Sequence, residues 1–273
     1  MAEQSALRPL VDGRIDLWFC ATDAVGVNAA AGSIRAAALA RCEALLSDEE
    51  LAHSRRLRFP QHQREYILSH ALLRTSLSHY ARIAPQAWAF LRNDFGKPRL
   101  IETAGAEHLR FNLSHTQGLS VCAIGRYCEL GVDVEFHGNP GAMLDVADEY
   151  FSEREISDLK ARPLAEQGDV FFRYWTLKES YIKARGEGLS IPLDGFSFSI
   201  ESDSAIRLLD VSGVADDAWQ FLSFLASPQH SVAVAARQRE LQVNLFWSTI
   251  DAVEALAGVD ELQQRMQALL PSA

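Results

Sequence analysis

The chain has 273 residues, of which 48% are hydrophobic and 23% are charged, as is typical of a globular protein with a sizeable core. Its net charge of −10 argues against a nucleic-acid partner. No apolar run reaches the roughly 18 residues of a membrane helix, and the first residues lack the pattern of a secretory signal. The four cysteines form no CxxC pair. We therefore expect a cytoplasmic protein with reduced thiols and no membrane partner.

The first half of the chain predicts a strand followed by two helices. Apolar residues alternate over residues 15–19, which indicates a strand. Ser47 with the acids that follow it predicts the start of a helix, and a second helix follows Pro60 at helical apolar spacing. Residues 93–98 read as a turn-rich loop.

The second half mixes strands and helices. Strands are predicted at 119–124, 130–134, 196–200, 232–236 and 242–246. Helices are predicted at 145–150, 152–160, 169–184 and, as an amphipathic terminal helix, 251–270. Because the elements do not alternate as regular βαβ units, the fold class predicted is α+β.

The sequence Gly131-Val-Asp133-Val-Glu135 places two carboxylates on one face of a predicted strand. Two neighbouring carboxylates repel each other unless a cation lies between them, and a few oxygen ligands suit Mg²⁺. The alternative is a strand that ends in solvent with two exposed acids.

The helix predicted at 169–184 carries Lys178 inside its apolar arc. An unpaired ammonium group would be costly there, so Lys178 must meet a carboxylate or an anion held in a cleft. Glu179 and Lys183 lie four residues apart at the edge of this arc. They fit either a site or an ordinary surface ion pair.

Two further motifs carry polar groups. In Asn112-Leu-Ser114-His115, no GxSxG elbow surrounds the serine, so His115 fits a phosphate or hydroxyl contact, or a structural histidine. In Phe95-Gly-Lys97-Pro, the loop presents a lysine suited to phosphate, although no P-loop is present. A basic cluster, His53 to Arg58 with Arg64 and Arg74, fits a small anion or a solvated helix face.

Taken in order, the motifs GKP, NLSHT, GVDVE and WTLKESYIKARGEGL resemble the 4′-phosphopantetheinyl transferase superfamily. They are most similar to the monomeric, two-subdomain type that activates surfactin synthetase and other peptide and polyketide synthetases. The resemblance implies two similar α+β subdomains in a pseudo-two-fold arrangement. The implied division is an N-terminal subdomain over 1–129, a C-terminal subdomain with the metal-binding acids over 130–240, and a C-terminal extension over 241–273.

The resemblance also implies roles for individual residues. Metal-binding acids that hold Mg²⁺, with Mn²⁺ possible, would be Asp133, Glu135 and Glu179. Catalytic residues would be Asp133, Glu179 and Lys183. Contacts to coenzyme A would come from Arg56, Arg64, Arg74, Lys97, Ser114, His115 and Lys178. The family's basic position before the FxF-like stretch is His53 here, so the arginines nearby are expected to supply that charge.

The implied reaction moves the 4′-phosphopantetheine group from coenzyme A to a serine of an acyl or peptidyl carrier protein. Glu179 or a metal-bound water would accept the serine proton. Two alternatives use the same residues. One is a metal-dependent phosphohydrolase with water as the nucleophile, and the other is a coenzyme-A-binding or carrier-binding module without catalysis.

Overall fold

The computed structural model describes residues 7–22, 29–138 and 143–248. Its helices are α1 (Ala29–Glu43), α2 (Asp48–Arg56), α3 (Pro60–Leu77), α4 (Met143–Tyr150), α5 (Glu153–Ala161) and α6 (Leu164–Arg185). Its strands are β1 (Arg14–Ala21), β2 (Phe90–Arg92), β3 (Pro98–Leu100), β4 (Leu109–Thr116), β5 (Leu119–Arg126), β6 (Leu130–Phe136), β7 (Phe196–Ile200), β8 (Ile206–Asp210), β9 (Trp219–Ser227), β10 (His230–Arg237) and β11 (Gln242–Trp247).

Most of the predicted elements are confirmed, including both helices that start at a serine. Ser47 and Ser152 each form a capping box with the glutamate three residues later. The NLSHT motif lies within β4, a strand that was not among those predicted. The helix predicted at 251–270 lies outside the described residues.

The first sheet contains four strands in the order β11-β1-β5-β4. β5 pairs antiparallel with both β1 and β4, whereas β11 pairs parallel with β1, from Arg14 opposite Gln242 to Phe19 opposite Trp247. The first residues of the predicted extension, 242–247, therefore form a strand of the same sheet as β1.

The second sheet contains three antiparallel strands in the order β6-β10-β9. β2 with β3 and β7 with β8 form two small antiparallel pairs. In the described part of the chain, β6 is thus an edge strand of its sheet, and β4 is an edge strand of the first sheet.

The core is arranged in four layers, with a long helix outside each of two stacked sheets. One face of the first sheet packs on α3 through Trp18 and Leu72. Its other face meets the second sheet, where Leu17 of β1 shares a cluster with Val132 of β6. The far face of the second sheet packs on α6, where Leu177 lies in a third cluster. The predicted α+β class is confirmed.

The remaining predictions on class concern thiols and membranes. Cys20, Cys42, Cys122 and Cys128 are all buried. Within the described ranges, each helix is too short or too polar to cross a bilayer.

Candidate active site

Close packing of β6 against α6 depends on Gly131. A Cβ atom at this position would lie 2.1 Å from the carbonyl oxygen of Ser180 and 2.5 Å from the nitrogen of Ala184. Both are backbone atoms of a helix that cannot turn aside, so a glycine is required. Since side chains alternate along a strand, Asp133 and Glu135 then also face α6.

Asp133 forms the centre of the site. Its Oδ1 atom accepts from Lys183 Nζ at 2.5 Å and from Ser114 Oγ at 2.9 Å, and Lys183 Nζ lies 2.9 Å from Ser114 Oγ. Asp133 is only 2% exposed, and its Oδ2 atom is buried with no hydrogen-bond partner in the described structure. Three predicted site residues from β4, β6 and α6 are therefore brought together.

Glu135 and Glu179 lie beside this cluster, both partly buried. Burial, followed by repulsion from Asp133, raises the pKa of Glu135 to about 7, and Trp175 Nε1 donates to its Oε1 at 3.3 Å. The same two causes raise the pKa of Glu179, while Lys183 opposes the shift. The three predicted acids thus interact electrostatically in one place.

In the described structure, these acids are not positioned to bind a metal ion together. In the ranges that the structure describes, no three His, Cys, Asp or Glu side chains are grouped so that they could hold a metal ion as they stand. Asp133 pairs instead with the ammonium of Lys183, at 2.5 Å from Nζ to Oδ1. The donor set nevertheless suits a cation, because repelling carboxylates and the partnerless Oδ2 atom favour added positive charge.

His115 and Lys97 are two further residues that were predicted for the site. His115 follows Ser114 in β4, and its side chain is partly open to solvent. Partial burial and then the positive charge of Lys183 lower the pKa of His115. Lys97 donates from Nζ to Ala184 O at 2.7 Å and to Leu130 O at 3.2 Å, and burial lowers its pKa to about 8. The Lys97 ammonium therefore joins the end of α6 to the start of β6.

Arg56 and Arg64 lie on neighbouring helices, in the last turn of α2 and in α3. Arg56 is exposed, whereas Arg64 is partly buried and its Nε atom has no hydrogen-bond partner in the described structure. His53, at the family's basic position, stacks on Tyr66 with ring centroids 4.8 Å apart. These two arginines remain candidates for binding an anion.

Arg74 was expected to contact coenzyme A, and the structure corrects this expectation. The side chain is 1% exposed. Its Nη2 atom pairs with Glu50 at 2.7 Å, and its Nη1 atom donates to the carbonyl oxygens of Pro85 and Trp88. The charge and donors of Arg74 are engaged in holding α2 and the segment after α3, so this arginine is structural.

Lys178 was also expected at the ligand, and it too is structural. It is fully buried, pairs with Glu155 at 2.8 Å, and donates to Leu193 O and Phe196 O at 2.7 and 2.8 Å. The sequence-based requirement for a carboxylate is confirmed, and Glu155 of α5 is that carboxylate. Lys178 is correspondingly out of reach of any ligand beside Glu179, its neighbour in α6.

Sequence reasoning missed three residues that shape the site. Asn112 and Thr116 accept hydrogen bonds from β6, and Trp175 contacts Glu135. The polar alternation of Asn112, Ser114 and Thr116 along one strand was a signal for the first two. Trp175 looked like core at helical spacing, which gave no sign of its indole hydrogen bond.

Sequence comparisons relate the chain to one family of known proteins. The family model of the 4′-phosphopantetheinyl transferase superfamily matches residues 129–236, which include β6 and α6. The chain is 36% identical over 192 residues to the 4′-phosphopantetheinyl transferase HetI of Nostoc sp. (strain PCC 7120), covering 70% of this chain and 78% of HetI. The chain therefore belongs to the 4′-phosphopantetheinyl transferase superfamily.

Further similarity extends to the 4′-phosphopantetheinyl transferase Sfp of Bacillus subtilis (strain 168). Identity is 31% over 168 residues, which cover 62% of this chain and 72% of Sfp. The solved holo-[acyl-carrier-protein] synthase of Thermotoga maritima aligns with a TM-score of 0.33 and 19% identity, over 41% of this chain and 64% of that one. The superfamily predicted from the motifs is confirmed by the two sequence relatives.

Proposed function

We propose that the protein transfers the 4′-phosphopantetheine group of coenzyme A to a serine of an acyl or peptidyl carrier protein. The observation that carries the proposal is the convergence of Asp133, Lys183 and Ser114 from three elements, with Glu179 beside them. The segment matched by the superfamily model includes Asp133, Glu179 and Lys183. The relatives named above are transferases of this kind.

A divalent cation fits the carboxylates. Asp133, Glu135 and Glu179 would hold Mg²⁺, or Mn²⁺, through hard oxygen ligands. When bound, the cation would neutralise charge on the phosphate oxygens of coenzyme A. Lys183, whose side chain is 30% exposed, would then turn from Asp133 toward the phosphates.

The remaining chemistry falls to side chains of this chain. The carrier serine Oγ attacks the β-phosphorus of coenzyme A, and the bond from phosphorus to the oxygen of adenosine 3′,5′-bisphosphate breaks. Glu179, whose pKa is raised by burial and by Asp133, accepts the serine proton. Lys183 offsets the charge that develops on the departing phosphate.

The decisive experiment is mass spectrometry of apo carrier proteins after incubation with this protein, coenzyme A and Mg²⁺. We expect a mass increase equal to one phosphopantetheine group on the carrier serine, and none when the serine is replaced by alanine. A carrier panel of fatty-acid, polyketide and peptide types identifies the preferred partner.

The same mixtures test the two alternatives. A phosphohydrolase would consume coenzyme A without a carrier protein. A non-catalytic module would bind coenzyme A or the carrier and leave the carrier mass unchanged. We expect neither outcome, because the acids and Lys183 converge as a transfer site requires.

We further propose that the protein acts as a cytoplasmic monomer and docks its carrier through a local basic surface. The net charge of −10 would repel an acidic carrier at long range, so complementary charge near the site is required. Light scattering after size-exclusion chromatography measures the molecular mass and so tests for a monomer. The salt dependence of the association rate with the carrier measures the electrostatic contribution to docking.

A further inference from the structure

The edge of the second sheet presents a problem of hydrogen bonding next to the candidate active site. β6 is the terminal strand of that sheet, with β10 on one side and no further strand on the other in the described structure. Every second backbone N–H group of an edge strand points away from its sheet. A buried N–H group without a partner costs free energy, so these groups need acceptors.

Side chains of β4 supply the acceptors. Side-chain oxygens of Asn112, Ser114 and Thr116 each accept a hydrogen bond from a backbone N–H group of β6. From one acceptor to the next, the donor moves two residues along β6. The pairs are Val132 N to Asn112 Oδ1 at 2.8 Å, Val134 N to Ser114 Oγ at 3.3 Å and Phe136 N to Thr116 Oγ1 at 3.2 Å. We call this set of three hydrogen bonds the polar seam.

The polar seam fixes how far β6 is advanced along β4. Each acceptor serves the N–H group 20 residues later, so the two strands run in the same direction with a constant offset. A strand slip of one residue would move each side chain to the other face. The offset therefore decides which residue of β6 lies opposite Ser114.

The middle of the seam belongs to the site. Ser114 accepts from Val134 N and also contacts Asp133 and Lys183. Asn112 and Thr116 flank it on either side. Asn112 is 5% exposed. Neither flanking side chain has a hydrogen bond to Asp133, Glu135, Glu179 or Lys183 among those of the described residues.

We propose that Asn112 and Thr116 are positioning residues for the transfer reaction, which hold β6 in the register that places Asp133 against Ser114 and Lys183. The proposal rests on the proposed function. It goes beyond that function because it assigns a role to two residues that need not touch either substrate. Their effect is transmitted through the backbone of β6.

Paired substitutions of Thr116 test the proposal. Thr116→Val keeps the shape of the side chain and removes the acceptor, whereas Thr116→Ser keeps the acceptor. We expect Thr116→Val to lower kcat by about 10- to 100-fold with KM for coenzyme A changed less than about 3-fold, since small misplacements of reacting groups act on the chemical step. Thr116→Ser should stay within about 3-fold of the wild type in both constants.

Two further variants serve as a second test and as a control. Asn112→Leu removes the deeper acceptor, and its effect on kcat should be at least as large as that of Thr116→Val. Ser120→Ala removes a fully buried hydroxyl of β5 that has no hydrogen-bond partner in the described structure, so its kcat should match the wild type. If Asn112→Leu does not fold, the Thr116 pair still decides the question.

Nuclear magnetic resonance separates this proposal from the proposed function. Amide exchange of Phe136 N–H and the side-chain signals of Lys183 should change in Thr116→Val and return in Thr116→Ser, whether or not the wild type transfers phosphopantetheine. Unchanged Lys183 signals in Thr116→Val, or an unchanged kcat, would overturn the positioning role. A wild type that leaves every apo carrier unmodified would instead overturn the proposed function alone.

Discussion

Lys183 pairs with Asp133 through one carboxylate oxygen only. Oδ1 accepts both Lys183 Nζ at 2.5 Å and Ser114 Oγ, while Oδ2 is buried and lacks a hydrogen-bond partner in the described structure. A buried carboxylate oxygen without a partner is costly unless something binds it. The ion pair therefore leaves Asp133 half satisfied, with one oxygen ready for a cation or a proton donor.

Asp133→Asn should abolish most of the transfer activity. The amide keeps the shape and one accepting oxygen but loses the negative charge, which is needed both for a cation and for Lys183. We expect the transfer rate to fall by about 10²–10³-fold, the range seen when one electrostatic contact to a transition state is removed. Carrier mass spectrometry gives the rate, and thermal unfolding checks the fold. Near-normal turnover would contradict a role for the Asp133 charge.

Gly131→Ala should damage both stability and activity. The added Cβ would lie 2.1 Å from Ser180 O, so α6 and β6 must separate, at a cost of about 1–3 kcal/mol. Gly168→Ala is the matched control in α6 itself, where the nearest atom, Met143 Cε, lies 3.6 Å away. There we expect a gain of about 0.5–1 kcal/mol. Urea unfolding of both variants measures the contrast, and equal stabilities would contradict the close approach.

Breaking the buried pair of Lys178 and Glu155 should destabilise the protein without a direct effect on ligand binding. Lys178→Met leaves Glu155 as an unpaired buried charge, which costs about 3–5 kcal/mol. Adding Glu155→Gln should recover part of that loss, because the two residues are in contact. Denaturant unfolding measures both variants. A KM for coenzyme A that rises in folded Lys178→Met would restore the ligand contact that the structure argues against.

His70 should make stability depend on pH in the acid range. Burial lowers its pKa from 6.5 to about 4, and Glu50 opposes this shift only in part. Between these values the unfolded chain binds a proton that the folded chain does not, so stability falls as pH falls. From pH 6.5 to 5 we expect a loss of about 1–2 kcal/mol from this group.

His70→Phe isolates the contribution of His70 to the pH dependence of stability. The variant keeps an aromatic ring against Tyr66, on which His70 stacks with ring centroids 3.8 Å apart. The variant should lose less stability than the wild type over the same pH range, as measured by urea unfolding at each pH. His62→Gln, a change at an exposed histidine, serves as the control. Parallel curves for wild type and His70→Phe would contradict the prediction.

Local patterns predicted the elements that depend on local physics. The serine caps at Ser47 and Ser152, the strand that carries Asp133 and the long helix all follow from capping and periodicity. The α+β class follows from the order of these elements. Long-range pairing was not readable in the same way, and β11 beside β1 joins residues more than 220 positions apart.

The site was predicted unevenly for a similar reason. Acids at alternate strand positions predicted that Asp133 and Glu135 share a face, and the family resemblance implied that Glu179 lies near them. A buried cation signals only that a partner is needed, so helical spacing could not distinguish a ligand from Glu155 as the partner of Lys178, or from Glu50 as that of Arg74. The choice depends on which distant element packs there.

The 3′-phosphate of coenzyme A should bind at Arg56 and Arg64. This phosphate distinguishes coenzyme A from dephospho-coenzyme A, and the two arginines lie at the adjoining ends of α2 and α3. Arg64 Nε is buried and has no hydrogen-bond partner in the described structure, so a phosphate that reached it would satisfy this donor. His53 already stacks on Tyr66, whereas an arginine guanidinium is always charged and presents several donors to a phosphate, so the arginines are better suited to supply the charge.

The test compares binding of coenzyme A and dephospho-coenzyme A by calorimetry. A charge-assisted hydrogen bond to phosphate contributes about 1.5–3 kcal/mol, so the wild type should prefer coenzyme A by about 10- to 150-fold. An Arg56→Ala, Arg64→Ala double variant should lose most of this preference while it still binds dephospho-coenzyme A as the wild type does. An Arg55→Ala variant, which removes an exposed neighbour on α2, controls for general loss of positive charge. If the double variant keeps the full preference, the 3′-phosphate binds elsewhere, and Lys97 becomes the next candidate because Arg74 is engaged with Glu50.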